Sequence, residues 1–120
     1  MNKLQAYQTF WSGFNIPAYE ENSVPDGAVM PYITYESGWD SFDYAVALTA
    51  MIWYRSDSWA DIIAKEAQIS EALTMGGKIV PYENGAMWIT KARPWARRLP
   101  DGDDDAVRCI ALNLYVEFLD

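Results

Sequence analysis

The sequence predicts an α+β domain of two layers: an antiparallel-rich sheet of about five strands with two helices packed on one face. Three observations carry that prediction. Apolar residues recur at helical spacing in two segments, at Leu4, Tyr7, Trp11 and Phe14 and again from Trp59 to Leu73. Two long runs, Tyr44 to Arg55 and Ala106 to Leu119, alternate as strands do. Asn84-Gly85 stands between two further β-rich stretches and is the strongest short hairpin signal.

Taken in order, the first helix starts with Asn2 and Gln5 as a capping box and stops near Gly13 and Pro17. Asn15 to Met30 holds two prolines and few periodic apolar residues, so it is expected to be a long loop. Pro31 to Glu36 is β-rich, and its leading proline places it at an edge or strand start. Ser37 to Asp43 is turn-like and carries Trp39 and Phe42.

In the run from Tyr44 to Arg55, Val46, Leu48, Ala50 and Ile52 share one face. Ala47, Thr49, Met51 and Trp53 share the other, which is small or mixed and need not be sealed inside one subunit. The second helix takes Ser58 as N-cap, runs to about Met75 and ends at Gly76-Gly77. Glu66 falls on its apolar stripe, where a carboxylate needs a basic or hydrogen-bonding neighbour or a place at the rim. Lys78 to Glu83 and Ala86 to Lys91 form the hairpin, Arg93 to Asp105 a long polar loop, and Ala106 to Leu119 the last strand. The predicted order is α-β-β-α-β-β-β within one domain, residues 1–120.

Composition then limits the chemistry. The chain has no histidine and one cysteine, so Ser-His-Asp and Cys-His catalysis and an intrachain disulfide are excluded. Carboxylate, Lys, Tyr and hydroxyl chemistry remain. Cys109, inside an apolar strand, is expected to be a small buried hydrophobe in a reducing compartment. Six Trp, eight Tyr and four Phe point instead to surfaces that bind other surfaces. The formal charge of −8 argues against a protein whose main task is to grip phosphates. It suits solubility, or a wall that nucleic acid must slide past. The longest apolar stretch, Tyr44 to Tyr54, is about half a membrane span, and the opening residues show no basic segment followed by an apolar one, so no secretion signal is expected.

Two charged stretches invite a functional reading. Lys91, Arg93, Arg97 and Arg98 interleave with Trp95, a pattern that can bind single-stranded nucleic acid. Asp101, Asp103, Asp104 and Asp105 follow almost at once. They lack the spacing and distal Glu of a calcium loop and have no partner for an acid/base pair, so a solvated loop is expected. Opposite patches on neighbouring loops suit head-to-tail pairing of identical subunits. Trp39 and Phe42 either fold back on the sheet as a lid or are displayed to a partner. Gly76-Gly77-Lys78 lacks the remainder of a phosphate loop and is a helix stop.

Asn15 to Asp26, Pro31-Tyr-Ile-Thr-Tyr35 and Val46 to Arg55 together resemble the tail terminator, or tail completion, family of long-tailed bacteriophages. The likeness extends in element order from about Tyr7 to Leu119. It implies a non-enzymatic virion protein, with no cofactor, that forms a ring, usually a hexamer, at the head-proximal end of the tail tube. Such a ring ends tube polymerisation and meets the major tail tube protein on one side and a head-completion or neck protein on the other. Genomic DNA would pass through it without sequence-specific binding and without membrane contact. The protein would reside in the virion tail or neck and, during assembly, in the host cytoplasm.

On this reading Trp39, Phe42, Arg93, Trp95, Arg97 and Arg98 are the expected subunit or partner contacts, and the Asp101 to Asp105 loop the expected channel wall. The alternatives are a head–tail connector or stopper, a small nucleic-acid-binding module using Lys91 to Arg98, and a carboxylate hydrolase built on Asp101 to Asp105.

Overall fold

The structure, a computed structural model, describes residues 1–39, 45–99 and 106–119. Helix α1 spans Lys3–Ser12. Its capping box forms as expected: Asn2 Oδ1 accepts from the Gln5 N–H at 2.8 Å, and Gln5 Oε1 accepts from the Asn2 N–H at 3.0 Å. Tyr7, Phe10, Trp11 and Ala6 are buried, whereas Leu4 is 56% exposed. The buried stripe thus runs through Phe10 and leaves the first turn overhanging.

The sheet has six strands. They are β1 (Ala18–Glu20), β2 (Tyr32–Tyr35), β3 (Val46–Arg55), β4 (Lys78–Tyr82), β5 (Gly85–Leu99) and β6 (Val107–Phe118), in the spatial order β1-β2-β3-β6-β5-β4. Four of the five pairings are antiparallel; β1 runs parallel to β2. Strand β1 corrects the expected loop from Asn15 to Met30. Three residues between Pro17 and the next turn are too few to show alternation, and their pairing with β2 is what orders them.

A second correction concerns Arg93 to Asp105. Strand β5 continues through Leu99, pairing Ala96 to Leu99 with Leu112 to Cys109. A bulge interrupts it: β5 advances five residues from Lys91 to Ala96 while β6 advances two, from Leu114 to Leu112. Arg93-Pro94 and Asn113 meet at this bulge, where the Asn113 amide donates to the Pro94 carbonyl at 2.9 Å. Proline and arginine made the stretch look like a loop, but a bulge accommodates a proline that a regular ladder would reject.

Helix α2 spans Ala60–Leu73. Ser58 does accept a bond, from the Ala60 N–H at 3.1 Å, but the N-cap position is Trp59, and no capping box forms with Asp61. The helix stops at Thr74, short of Met75. At Gly77, φ is +81°, and a Cβ would lie 2.5 Å from the Ile89 carbonyl, so a side chain here would collide with β5. The hairpin turn is Glu83-Asn84, one residue earlier than the Asn-Gly pair suggested: Tyr82 pairs with Gly85, and Asn84 takes the positive φ of 67°.

Both helices lie on one face of the sheet. Tyr7, Phe10 and Trp11 from α1 and Ile62, Ile69 and Leu73 from α2 share a single core with Leu48, Ala50 and Ile52 of β3 and Leu112, Leu114 and Val116 of β6. Ile63 turns outward at 37% exposure, so α2 is rotated slightly from the stripe read in sequence. Cys109 is buried, as expected. Among the described residues no helix is long and apolar enough to cross a membrane.

Candidate assembly surfaces

Strand alternation divides the basic and aromatic stretch that looks continuous in sequence. Arg97 pairs with Ala111 and shares its face, away from the helices; Arg98 pairs with Ile110 on the helix side; Arg93 is exposed at the bulge. Lys91 is turned inward, its ammonium donating to Ser70 Oγ at 2.8 Å and lying 5.9 Å from the Trp95 ring. Trp95 points the same way and donates to Glu66 Oε1 at 2.6 Å. Glu66 therefore has the hydrogen-bonding neighbour its position required, and it sits half-buried between core and rim.

Arg98 enters a different constellation. Its guanidinium lies 5.0 Å from the Trp59 ring and that of Arg108 lies 5.3 Å from the same ring, which is cation–π distance for both. Arg108 also donates to the Asp57 carbonyl at 3.2 Å. Trp59, Arg98 and Arg108 come from the N-cap of α2, from β5 and from β6, so sequence reading could not group them. Leu99 and Val107, the strand ends that flank the acidic stretch, adjoin these two arginines in the chain. Asp101, Asp103, Asp104 and Asp105 themselves lie outside the described residues, as does Phe42.

Trp39 is half-buried. Its ring makes edge contacts with Tyr7 at 5.6 Å and Phe118 at 5.1 Å, which places it as a lid over one end of the core. Beneath it, Tyr7 and Trp11 are fully buried, and neither the Tyr7 hydroxyl nor the Trp11 indole N–H has a hydrogen-bond partner. Burial drives the Tyr7 phenol well above its ordinary value, and the nearby Trp11 offsets this only in part. The indole is close enough to ease a phenolate but is not placed to hydrogen-bond it. Tyr35, which donates to Gln8, is also raised, by burial first and Glu20 second.

The far face of the sheet carries no described helix. Tyr32, Met51 and Trp53 are half-buried there, Tyr115 is 42% exposed, and Trp53 Nε1 donates to Thr34 Oγ1 at 3.0 Å. From its sequence, the small or mixed face of β3 need not be sealed inside one subunit; Ala47 is exposed on it, while Val107, Cys109 and Ala111 of β6 on the same face are buried. Among the described residues no group of three His, Cys, Asp or Glu is placed to hold a metal ion.

No protein-family model matches the chain, and no curated protein matches its sequence. Among solved structures, a chain from the virion of a native gene transfer agent particle matches with a TM-score of 0.62 at 17% identity. The match covers 99% of this chain and 87% of that one. At that identity the likeness is one of fold: this α+β arrangement, over its whole length, is one that a virion protein also uses.

Proposed function

We propose that this chain is a structural virion protein of the tail terminator kind. It forms a ring, a hexamer on the family resemblance, at the head-proximal end of a phage tail tube, where it ends tube growth and joins the tail to the neck. The observation that supports this reading most is the full-length fold likeness to a gene transfer agent virion chain. The aromatic excess and the absence of a histidine or thiol catalytic kit fit a protein that acts by contact and not by chemistry. The Arg98–Trp59–Arg108 cluster and the acidic stretch Asp101 to Asp105, which follows Arg98 closely in sequence, carry opposite charges that suit head-to-tail contacts.

Solution mass measurement together with electron microscopy of the purified chain tests the reading. A ring with an axial hole is expected, alone or on the end of added tail tubes. Tubes that grow without limit despite the protein, while heads fail to retain DNA, would point to a connector or stopper in its place. A monomer that shifts single-stranded oligonucleotide would replace the proposal with a nucleic-acid-binding module.

A further inference from the structure

We propose that copies of this chain join side by side, Met75 at the basic edge of one copy seating in a pocket beside Leu4 and Tyr35 at the acidic edge of the next. The contact deepens the ring reading, on which it rests for its setting, by naming the two surfaces that meet. Strand order separates them. Strand β1 is one edge of the sheet. At the other, β4 pairs with β5 only as far as Ile89, so from Thr90 onward β5 itself is the edge. With β2, β3 and β6 between them, β1 and β5 are about 19 Å apart along the sheet, and their charges are left for a neighbour.

On the β5 edge, Arg93 at the bulge and Arg97 beyond it are exposed, and neither makes a hydrogen bond or ion pair among the described residues. Met75, just past α2, is fully exposed and lines one shallow depression with Lys91, Arg93 and Trp95. Of the nearby carboxylates on α2, Glu66 is engaged by Trp95, and Glu71, one turn before Met75, pairs with neither arginine. On the β1 edge, a pocket of about 380 Å³ is lined by Leu4, Gln5, Gln8, Glu20, Tyr35 and Ser37. Glu20 is engaged by Asn22. Glu21 is held beside the pocket by its N–H, which donates to the Tyr35 carbonyl at 2.9 Å. Its own carboxylate is exposed and accepts no hydrogen bond among the described residues. That carboxyl is raised from its ordinary value, by desolvation first and by the nearby Glu36 and Glu20 after it.

Each edge thus sets an exposed apolar side chain, Met75 or Leu4, beside an unpaired charge, and the two charges are opposite. Surfaces that complement each other from opposite edges of one chain make a heterologous contact, which repeats from copy to copy and closes into a ring or runs on as a filament. Like edges are rejected by charge, since Arg93 would meet Arg93 or Glu21 would meet Glu21. A methionine, unbranched and flexible, suits an irregular pocket. The Arg93–Glu21 pair beside it fixes the orientation.

The test mixes two variants of the full chain, Leu4→Cys and Met75→Cys, with a short thiol-to-thiol cross-linker, circular dichroism checking the fold of each. Cys109 is buried and stays out of the reaction. The mixture should give a covalent dimer that neither variant gives alone, and the Leu4→Cys/Met75→Cys double variant a ladder of longer multimers. Arg93→Glu in the Met75→Cys protein, or Glu21→Arg in the Leu4→Cys protein, should cut the yield about tenfold, and the two reversals together should restore it. Rings seen by electron microscopy without a mixed cross-link overturn this contact and leave the ring reading standing. A cross-link in a chain that forms no ring keeps the contact and removes the ring. A cross-link in Met75→Cys alone, or reversals that fail to rescue each other, overturns the proposal. Neither ring nor cross-link overturns both.

Discussion

Trp95 donates its indole N–H to Glu66 Oε1 at 2.6 Å, tying the bulged half of β5 to the middle of α2. The pair reconciles two features that conflict when taken separately, a carboxylate on an apolar helix face and a tryptophan within a basic stretch. Glu66→Gln keeps an acceptor and should change stability little. Glu66→Ala leaves the half-buried indole N–H unpaired and should cost about 1–3 kcal/mol in denaturant unfolding. Equal stabilities for the two variants would show that the bond contributes nothing.

Trp39 packs against the core, and the proposed assembly contact is tested separately at Phe42, its near neighbour in sequence. Because its ring sits against Tyr7 and Phe118, Trp39→Ala alone should lower stability by about 2 kcal/mol, below the full cost of emptying a buried tryptophan site because the ring is only half-buried. Phe42→Ala carries the interface hypothesis and should weaken ring assembly by about 2 kcal/mol or more while the melting temperature stays unchanged. Assembly that survives Phe42→Ala unaltered would remove Phe42 from the proposed contact.

The Trp59 ring contacted by two arginines should steady the end of the molecule where β5 and β6 are joined. Cation–π contacts at partly exposed sites contribute about 0.5–1 kcal/mol each, so Trp59→Leu should cost about 1–2 kcal/mol. Hydrogen exchange should quicken at Arg98 and Arg108 and not at the far hairpin. Uniform quickening over the whole sheet would mean that the ring acts only through bulk.

Alkaline unfolding should trace to Tyr7. Its phenol is raised in the folded protein, chiefly by burial, so folding favours the neutral form. That contribution is fully present below the unfolded value near 10 and is lost as pH rises above it, because the unfolded chain releases the proton while the buried ring holds it. Tyr7→Phe should flatten the fall in stability above about pH 10. At neutral pH it should be neutral or stabilising by up to about 1 kcal/mol, since the hydroxyl it deletes has no hydrogen-bond partner. An unchanged alkaline slope would shift the cause to Tyr35 and Tyr54, whose phenols are raised as well.

What the sequence made legible was whatever repeats along the chain. The capping box at Asn2, the alternation of β3 and β6 and the two amphipathic helices are local patterns, and each formed. What stayed hidden depends on partners distant in sequence. Strand β1 exists because β2 lies beside it, and β5 runs on past Pro94 because a bulge opposite Asn113 absorbs the extra residues. The basic stretch looked like a single patch because sequence proximity does not show which face a strand residue takes. Arg97 and Arg98 are adjacent in the chain yet lie on opposite sides of the sheet, and the partner that Arg98 does find, Trp59, is on a helix.

If the chain forms a tail ring, DNA has to cross it without being held. Each phosphate a protein neutralises adds affinity through counterion release, so a basic lumen would retain the genome. The protein has 17 acidic and 9 basic residues. Of the basic ones, Lys91, Arg98 and Arg108 already contact Ser70, Trp59 and Asp57 within the subunit. The acidic excess of Asp101, Asp103, Asp104 and Asp105 is then expected on the channel wall. Replacing Asp103, Asp104 and Asp105 by Lys should leave rings intact by electron microscopy but make them retain double-stranded DNA, with retention falling as salt rises. Particles carrying the variant should release their genome more slowly. Normal release, or rings that hold no more DNA than the wild type, would return the acidic balance to solubility alone.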